Sequence, residues 1–357
     1  MTEPVQGVMR PGTTLGINAG SRVSTFGREK VDLIRNLLRS AGWDRGSLAG
    51  WPRILRECAA EATGVLLYVL PGTAAIASKT LHESTGNTSV YGSELQTGFA
   101  FAVGIVFAII TCAPVSGGHF HPAITLALAT WQGFPWRKVP HYIAAQLLGA
   151  FVAGLLLMGM YWPEVRALRD ANVAQHGTAV FAGGAASILC AFPAAGQTTA
   201  LGFLVLQEFF VDAIVGFVIW ACIDPANPFV SPQTAPFIIG LAFGAMGWGF
   251  GDNTISTNAA RDLGPRLVAA IFFGPEAFTY GRGYAAIAVL VNIPAILCAV
   301  AYYECVVRDS LRQIEQGHTV HVRGEVGLAR HLTTVGALPG GRRRTKEASG
   351  RRSGEVV

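Results

Sequence analysis

The segment Val115–Trp131, V-S-G-G-H-F-H-P-A-I-T-L-A-L-A-T-W, interrupts an apolar run with a polar turn and then begins a helix. Pro122 suits a first helical position, because its φ is already helical and its missing N–H would have no partner there. A helix from Pro122 to Trp131 rises about 15 Å, roughly half of the ~30 Å hydrocarbon core of a bilayer. The pattern predicts a half-helix at membrane depth.

The pattern occurs again at Ser256–Leu267, where Asn258 and Ala259 stand in place of His121 and Pro122. If each half of the chain contains an odd number of spans, the halves insert in opposite orientations and the two half-helices meet near the midplane. Two positive helix-dipole ends then face one spot. They repel a cation there and orient a dipolar solute.

The composition also indicates a membrane protein, because 51% of the residues are hydrophobic, 14% are charged and the mean hydropathy is +0.41. A long connection is predicted between Pro163 and Ala200. Six apolar runs are long enough to span a bilayer. They lie near Ile54–Ala77, Leu95–Val115, His141–Tyr161, Leu201–Ile223, Thr234–Phe250 and Gly283–Tyr303.

The positive charge lies mainly in the two tails. Of 27 Lys and Arg residues, 8 lie in residues 1–53 and 10 in residues 304–357. An even number of spans places both tails on one side, and the positive-inside rule predicts that this side is cytoplasmic. The net charge of +5 therefore reflects orientation in the membrane, and we expect no nucleic-acid partner.

Together these motifs resemble the aquaporin and glycerol-facilitator family. The likeness covers roughly Ile54–Tyr303 and rests on the two boxes, the S-G-G-H lead-in, the A-R-D-L-G-P-R tail, and one buried glutamate per half, Glu61 and Glu208. It implies an all-α membrane protein with six transmembrane helices and two re-entrant half-helices in an inverted repeat, assembled as a homotetramer. The D-P-A-N-P turn and the long tails look similar to fungal members.

The resemblance also implies an organisation into tails and repeats. We expect a cytoplasmic tail over residues 1–53, a channel domain over 54–306 and a basic cytoplasmic tail over 307–357. Within the channel, repeat one covers residues 54–161 and repeat two covers 201–306. The plasma membrane is the default location, and no cofactor, metal or catalytic residue is expected.

The half-helix boxes contain His121, Pro122, Ala123, Asn258, Ala259 and Ala260. By resemblance, donors from Asn258 and from its counterpart in the first box bond a solute oxygen. The two glutamates accept hydrogen bonds from N–H groups of the non-helical approach to each half-helix, because lipid offers no acceptor.

The resemblance also implies a constriction. The constriction residue contributed by the fifth span is Gly247 or Met246. The length of the loop from Gly251 to Asn258 favours Gly247. Asp262 and Arg266 match the glycerol-channel pattern after the second box. The implied constriction residues are Phe101, Gly247, Ile255 and Arg261.

The sequence therefore predicts a passive channel for glycerol or similar small neutral solutes, with water as a further candidate, and not an enzyme. One alternative is a channel for another neutral solute, such as urea or hydrogen peroxide. A second is a non-conducting scaffold. A proton-coupled transporter would rest on Glu57, Asp212 and His121, for each of which a structural role is favoured. Asp212 in particular is expected to bond a backbone group or a neutral side chain.

Overall fold

The computed structural model describes residues 52–86, 92–194, 200–225, 227 and 229–308, and within these ranges the regular structure is entirely helical. Most of both predicted tails, residues 1–51 and 309–357, lies outside the described residues. The first half contains α1 (Arg53–Ser84), α2 (Glu94–Ser116), α3 (Pro122–Trp131) and α4 (Val139–His176).

The second half repeats this order. It contains α5 (Leu201–Ile223), α6 (Ala235–Phe250), α7 (Ala259–Phe273), a short α8 (Glu276–Thr279), α9 (Tyr284–Leu290) and α10 (Asn292–Tyr302). Among the described residues, five helical segments are long and apolar enough to cross a membrane. The remaining predicted span, Thr234–Phe250, forms the shorter helix α6, whose 16 residues rise about 24 Å.

The prediction of a connection beginning at Pro163 was wrong, since α4 continues to His176. The residues after the proline include several helix formers. One face of this extension is buried, at Val165, Leu168 and Asn172. The Asn172 side chain accepts a 2.9 Å hydrogen bond from the Ala185 N–H, which ties this extension to the connection that follows it. Tertiary packing therefore outweighs the hydrogen bond that the proline removes.

Each half-helix packs against the last long helix of the other half, α3 against α10 and α7 against α4. Small residues allow the long helices to approach closely. A Cβ added at Gly149 would lie 2.1 Å from the Ala62 carbonyl oxygen, and one added at Gly240 would lie 2.4 Å from that of Ala102. Large apolar side chains such as Phe203 and Ile271 face outward, as a lipid-facing surface requires.

Candidate functional site

A cavity of about 690 Å³ runs along α2. The 23 residues of this helix rise about 35 Å, which is comparable to the hydrocarbon thickness of a bilayer. Lining residues recur every three or four positions, so one face of α2 forms a wall of the cavity along its whole length. They are Glu94, Thr97, Gly98, Phe101, Ile105, Ile109 and Ala113.

The two half-helices begin at side-chain caps. His121 Nδ1 accepts the Ala123 N–H at 3.1 Å. Asn258 Oδ1 accepts the N–H groups of Ala260 at 2.9 Å and of Arg261 at 3.3 Å. Both caps therefore satisfy first-turn donors that have no partner within their own helix.

The caps also contact each other's approach segments. His121 Nδ1 is an acceptor, so the ring hydrogen lies on Nε2, which donates to the Thr257 carbonyl at 2.8 Å. Asn258 Nδ2 donates to the Phe120 carbonyl at 3.0 Å. Each cap thus reaches the carbonyl of the residue that precedes the other cap. The half-helix N-termini meet, and their positive dipole ends face the same part of the cavity.

Glu61 and Glu208 hold the two approach segments. Glu61 accepts the N–H groups of His119 at 3.0 Å and Phe120 at 2.7 Å. Glu208 accepts those of Ser256 at 2.9 Å and Thr257 at 2.7 Å. The approaches need this support because they are not helical, with φ of +50° at Phe120 and +59° at Thr257.

Asp212 lies one turn after Glu208 on α5 and is fully buried. The expectation that it bonds a backbone group or neutral side chain was wrong. Within the described ranges neither carboxyl oxygen has a hydrogen-bond partner. Asp212 is not among the residues that line the cavity. A buried polar group without a partner destabilises the fold.

We expect Glu208→Gln to lower the stability of the folded channel by about 1–3 kcal/mol, because it removes a charged acceptor from two buried N–H groups. Asp212→Ala is the matched substitution on the same helix and should leave stability unchanged or raise it, because no hydrogen bond is lost. Thermal unfolding of the purified protein in detergent measures both. An equal loss in the two variants would contradict the distinction.

The four predicted constriction residues, Phe101, Gly247, Ile255 and Arg261, all line the cavity, whereas Met246 does not. Arg261 lies on the first turn of α7, and its guanidinium carbon is 5.2 Å from the centroid of the Phe101 ring. Its Nη1 has no hydrogen-bond partner among the described residues. The nearest carboxylate oxygen, on Asp262, is 3.7 Å away. Arg261 therefore brings a guanidinium to the cavity lining beside an aromatic ring.

Thr97 and Tyr68 are among the polar residues that line the cavity and that sequence reasoning did not select. Thr97 lies one turn before Phe101 on α2, and within the described part of the chain its hydroxyl is buried without a partner. The four-residue spacing from Phe101 is the sequence signal that identifies it. Tyr68 lies on α1, and its hydroxyl contacts Asn258.

Backbone carbonyls provide the remaining polar surface. The segments 117–120 and 252–257 line the cavity on either side of the caps. No donor within the described residues reaches the carbonyl oxygens of Gly118, His119 or Ile255. Irregular backbone of this kind is tolerated at membrane depth only where it faces protein or a water-filled cavity.

Asp262 and Arg266 form a buried ion pair, with 2.6 Å between Oδ1 and Nε. Asp262 also accepts the Ala191 N–H at 2.9 Å, and Arg266 donates at 2.6 Å to the carbonyls of Ala191 and Ala277. Neither residue of the pair lines the cavity, whereas Ala191 and Phe192 do. The pair therefore anchors the connection that shapes one mouth of the cavity.

The described residues contain no group of three or more His, Cys, Asp or Glu side chains suited to hold a metal ion. The chemistry of the cavity is instead that of hydrogen bonding. Arg261 and Thr97 carry donors without a hydrogen-bond partner among the described residues, several carbonyls are acceptors, and aromatic, aliphatic and further polar side chains complete the lining. Such a surface suits a small neutral solute that carries both hydroxyl and carbon groups.

A family model described as major intrinsic protein matches residues 49–281. Aquaporin-3 from Laccaria bicolor is 38% identical over 309 residues, covering 82% of this chain and 91% of that protein. Aquaporin-6 from the same fungus is 33% identical over 240 residues, covering 66% and 74%. The X-ray structure of the aquaglyceroporin from Plasmodium falciparum aligns with a TM-score of 0.59 at 22% identity, covering 71% of this chain and 97% of that one.

Proposed function

Because the chain belongs to the major intrinsic protein family and is a passive channel for water or small neutral solutes such as glycerol, we propose that glycerol and similar linear polyols are its preferred solutes. Family membership implies a transporter and not an enzyme. The single observation that carries the solute proposal is the contact of Arg261 with Phe101 in a cavity that Gly247 also lines.

A linear polyol has hydroxyls along one edge and carbon along the other. The Arg261 guanidinium lines the cavity and can donate to adjacent hydroxyls, while the Phe101 ring and the Ile255 side chain pack on the carbon edge. Gly247 leaves the fourth side open, since the nearest atom to an added Cβ is the Gly98 Cα at 3.8 Å.

The test is the light-scattering response of proteoliposomes in a glycerol gradient and, separately, in a sucrose gradient for water. We expect glycerol flux well above that of protein-free vesicles, by about tenfold or more, which corresponds to a barrier lowered by roughly 1.4 kcal/mol. Urea and hydrogen peroxide serve as comparison solutes. Glycerol flux equal to that of protein-free vesicles would overturn the glycerol assignment, and faster urea flux would favour the alternative solute.

We also propose that the channel lies in the plasma membrane with both tails in the cytoplasm, as the Lys and Arg distribution indicates. Protease treatment of sealed right-side-out vesicles should leave both tails intact. The outward apolar faces of the bundle are consistent with a homotetramer in the membrane. The mass of the detergent-free protein in nanodiscs tests that assembly, and a monomeric mass would contradict it.

A further inference from the structure

The hydrogen-bond donors available beside the two caps differ from those that the sequence predicted. Asn258 was expected to offer its amide to a passing solute. Its Nδ2 instead donates to the Tyr68 hydroxyl at 2.9 Å and to the Phe120 carbonyl at 3.0 Å. An amide nitrogen carries two hydrogens, so both are committed to protein.

The cap of the first box is committed as well. His121 uses Nδ1 to accept the Ala123 N–H and Nε2 to donate to the Thr257 carbonyl. Neither cap side chain therefore has a free donor for a solute. Among the groups that bond the two cap side chains, the Tyr68 hydroxyl is the one that belongs to a side chain. Tyr68 lies on a long helix, α1, and lines the cavity itself.

The Tyr68 phenol is held in a defined place. Its hydroxyl donates to the Phe120 carbonyl at 3.3 Å while accepting from Asn258. Its backbone lies against α2, because a Cβ added at Gly104 would be 2.7 Å from the Tyr68 Cα. The ring can therefore leave this position only by rotating about its side-chain bonds, and the residue is 4% exposed.

We propose that Tyr68 is the specificity-determining residue at the middle of the channel. Its ring sets the width beside the two caps, and its hydroxyl keeps the Asn258 amide from passing solutes. The remaining lone pair of the Tyr68 oxygen can accept a hydrogen bond from a solute at this point, whereas Arg261 offers donors. The proposal rests on the passive-channel function and deepens it.

Two substitutions separate the ring from the hydroxyl. Tyr68→Phe keeps the ring and frees one Asn258 N–H, whereas Tyr68→Leu also removes the ring. We expect the glycerol permeability per channel to rise about threefold in Tyr68→Phe and about tenfold in Tyr68→Leu, because each removes part of the barrier at this point. Water permeability should rise less than glycerol permeability in each variant, so the ratio of glycerol to water permeability should increase from the parent to Tyr68→Phe and again to Tyr68→Leu.

The matched control is Tyr142→Phe. Tyr142 is a buried tyrosine whose hydroxyl donates to a backbone carbonyl, that of Ser116, at 2.8 Å, and it does not line the cavity. This variant should leave permeability per channel unchanged even if it lowers stability. Permeability is divided by the amount of folded protein in each liposome preparation, so that a loss of yield cannot imitate a loss of conduction.

The outcomes distinguish this proposal from the glycerol assignment. If the parent conducts and neither Tyr68 variant gains flux, Tyr68 is only a packing residue and the proposal fails. If the parent conducts no glycerol but the variants do, the proposal stands and the glycerol assignment for the parent fails. If the parent and both variants conduct neither water nor glycerol, the proposal is overturned, because removing Tyr68 has opened nothing.

Discussion

The Gly247→His substitution should reduce glycerol permeability by about tenfold or more, a barrier increase of roughly 1.4 kcal/mol, while reducing water permeability far less. Gly247 lines the cavity, and an added Cβ meets nothing closer than the Gly98 Cα at 3.8 Å. A side chain can therefore begin at this position without displacing a neighbour, and we expect its imidazole to narrow the cavity. Glycerol needs the greater width, whereas a single water molecule does not.

Gly249→His provides a matched control on the same helix. Gly249 is exposed, does not line the cavity and has no atom within 4 Å of an added Cβ. It introduces the same side chain at a comparable depth, so both permeabilities should match those of the parent. Equal loss of water and glycerol flux in Gly247→His, with Gly249→His unaffected, would show that the site narrows the channel without selecting between solutes.

The sequence predicted the half-helix starts because these features have local signals. Pro122 is favoured at a first helical position, and the second box repeats the pattern at Asn258. The comparisons confirm the family and the predicted helical channel fold. The constriction residues were found by counting from the boxes, and the structure places all four on the cavity. Their roles in selection stay predictions.

What the sequence did not reveal depends on packing between distant helices. Tyr68 reads as one aromatic residue in an apolar run, and only the meeting of α1 with α7 places its hydroxyl on Asn258. Asp212 was expected to find a partner because buried polar groups usually do, but no signal in the sequence shows which residues face it. The extension of α4 beyond Pro163 likewise depends on contacts with residues 185–190.

Exclusion of cations should depend on two separate sources of positive potential, and Arg261→Ala removes only one. At an effective dielectric constant of about 20, a guanidinium repels a monovalent cation about 4 Å away by about 4 kcal/mol. The two half-helix N-termini remain and contribute roughly half an elementary charge each. We therefore expect Arg261→Ala to raise cation leak by at least about tenfold, without reaching the leak of an open pore.

The Arg261→Lys variant separates charge from hydrogen-bond geometry. Lysine keeps the positive charge but lacks the planar set of donors, so cation exclusion should persist while selection among neutral solutes weakens. Sodium flux and the ratio of glycerol to urea permeability, measured in the same proteoliposomes, report the two properties. If Arg261→Ala changes neither, the Arg261 guanidinium has no part in selection. The Phe101–Arg261 contact would then serve only to pack α7 against α2.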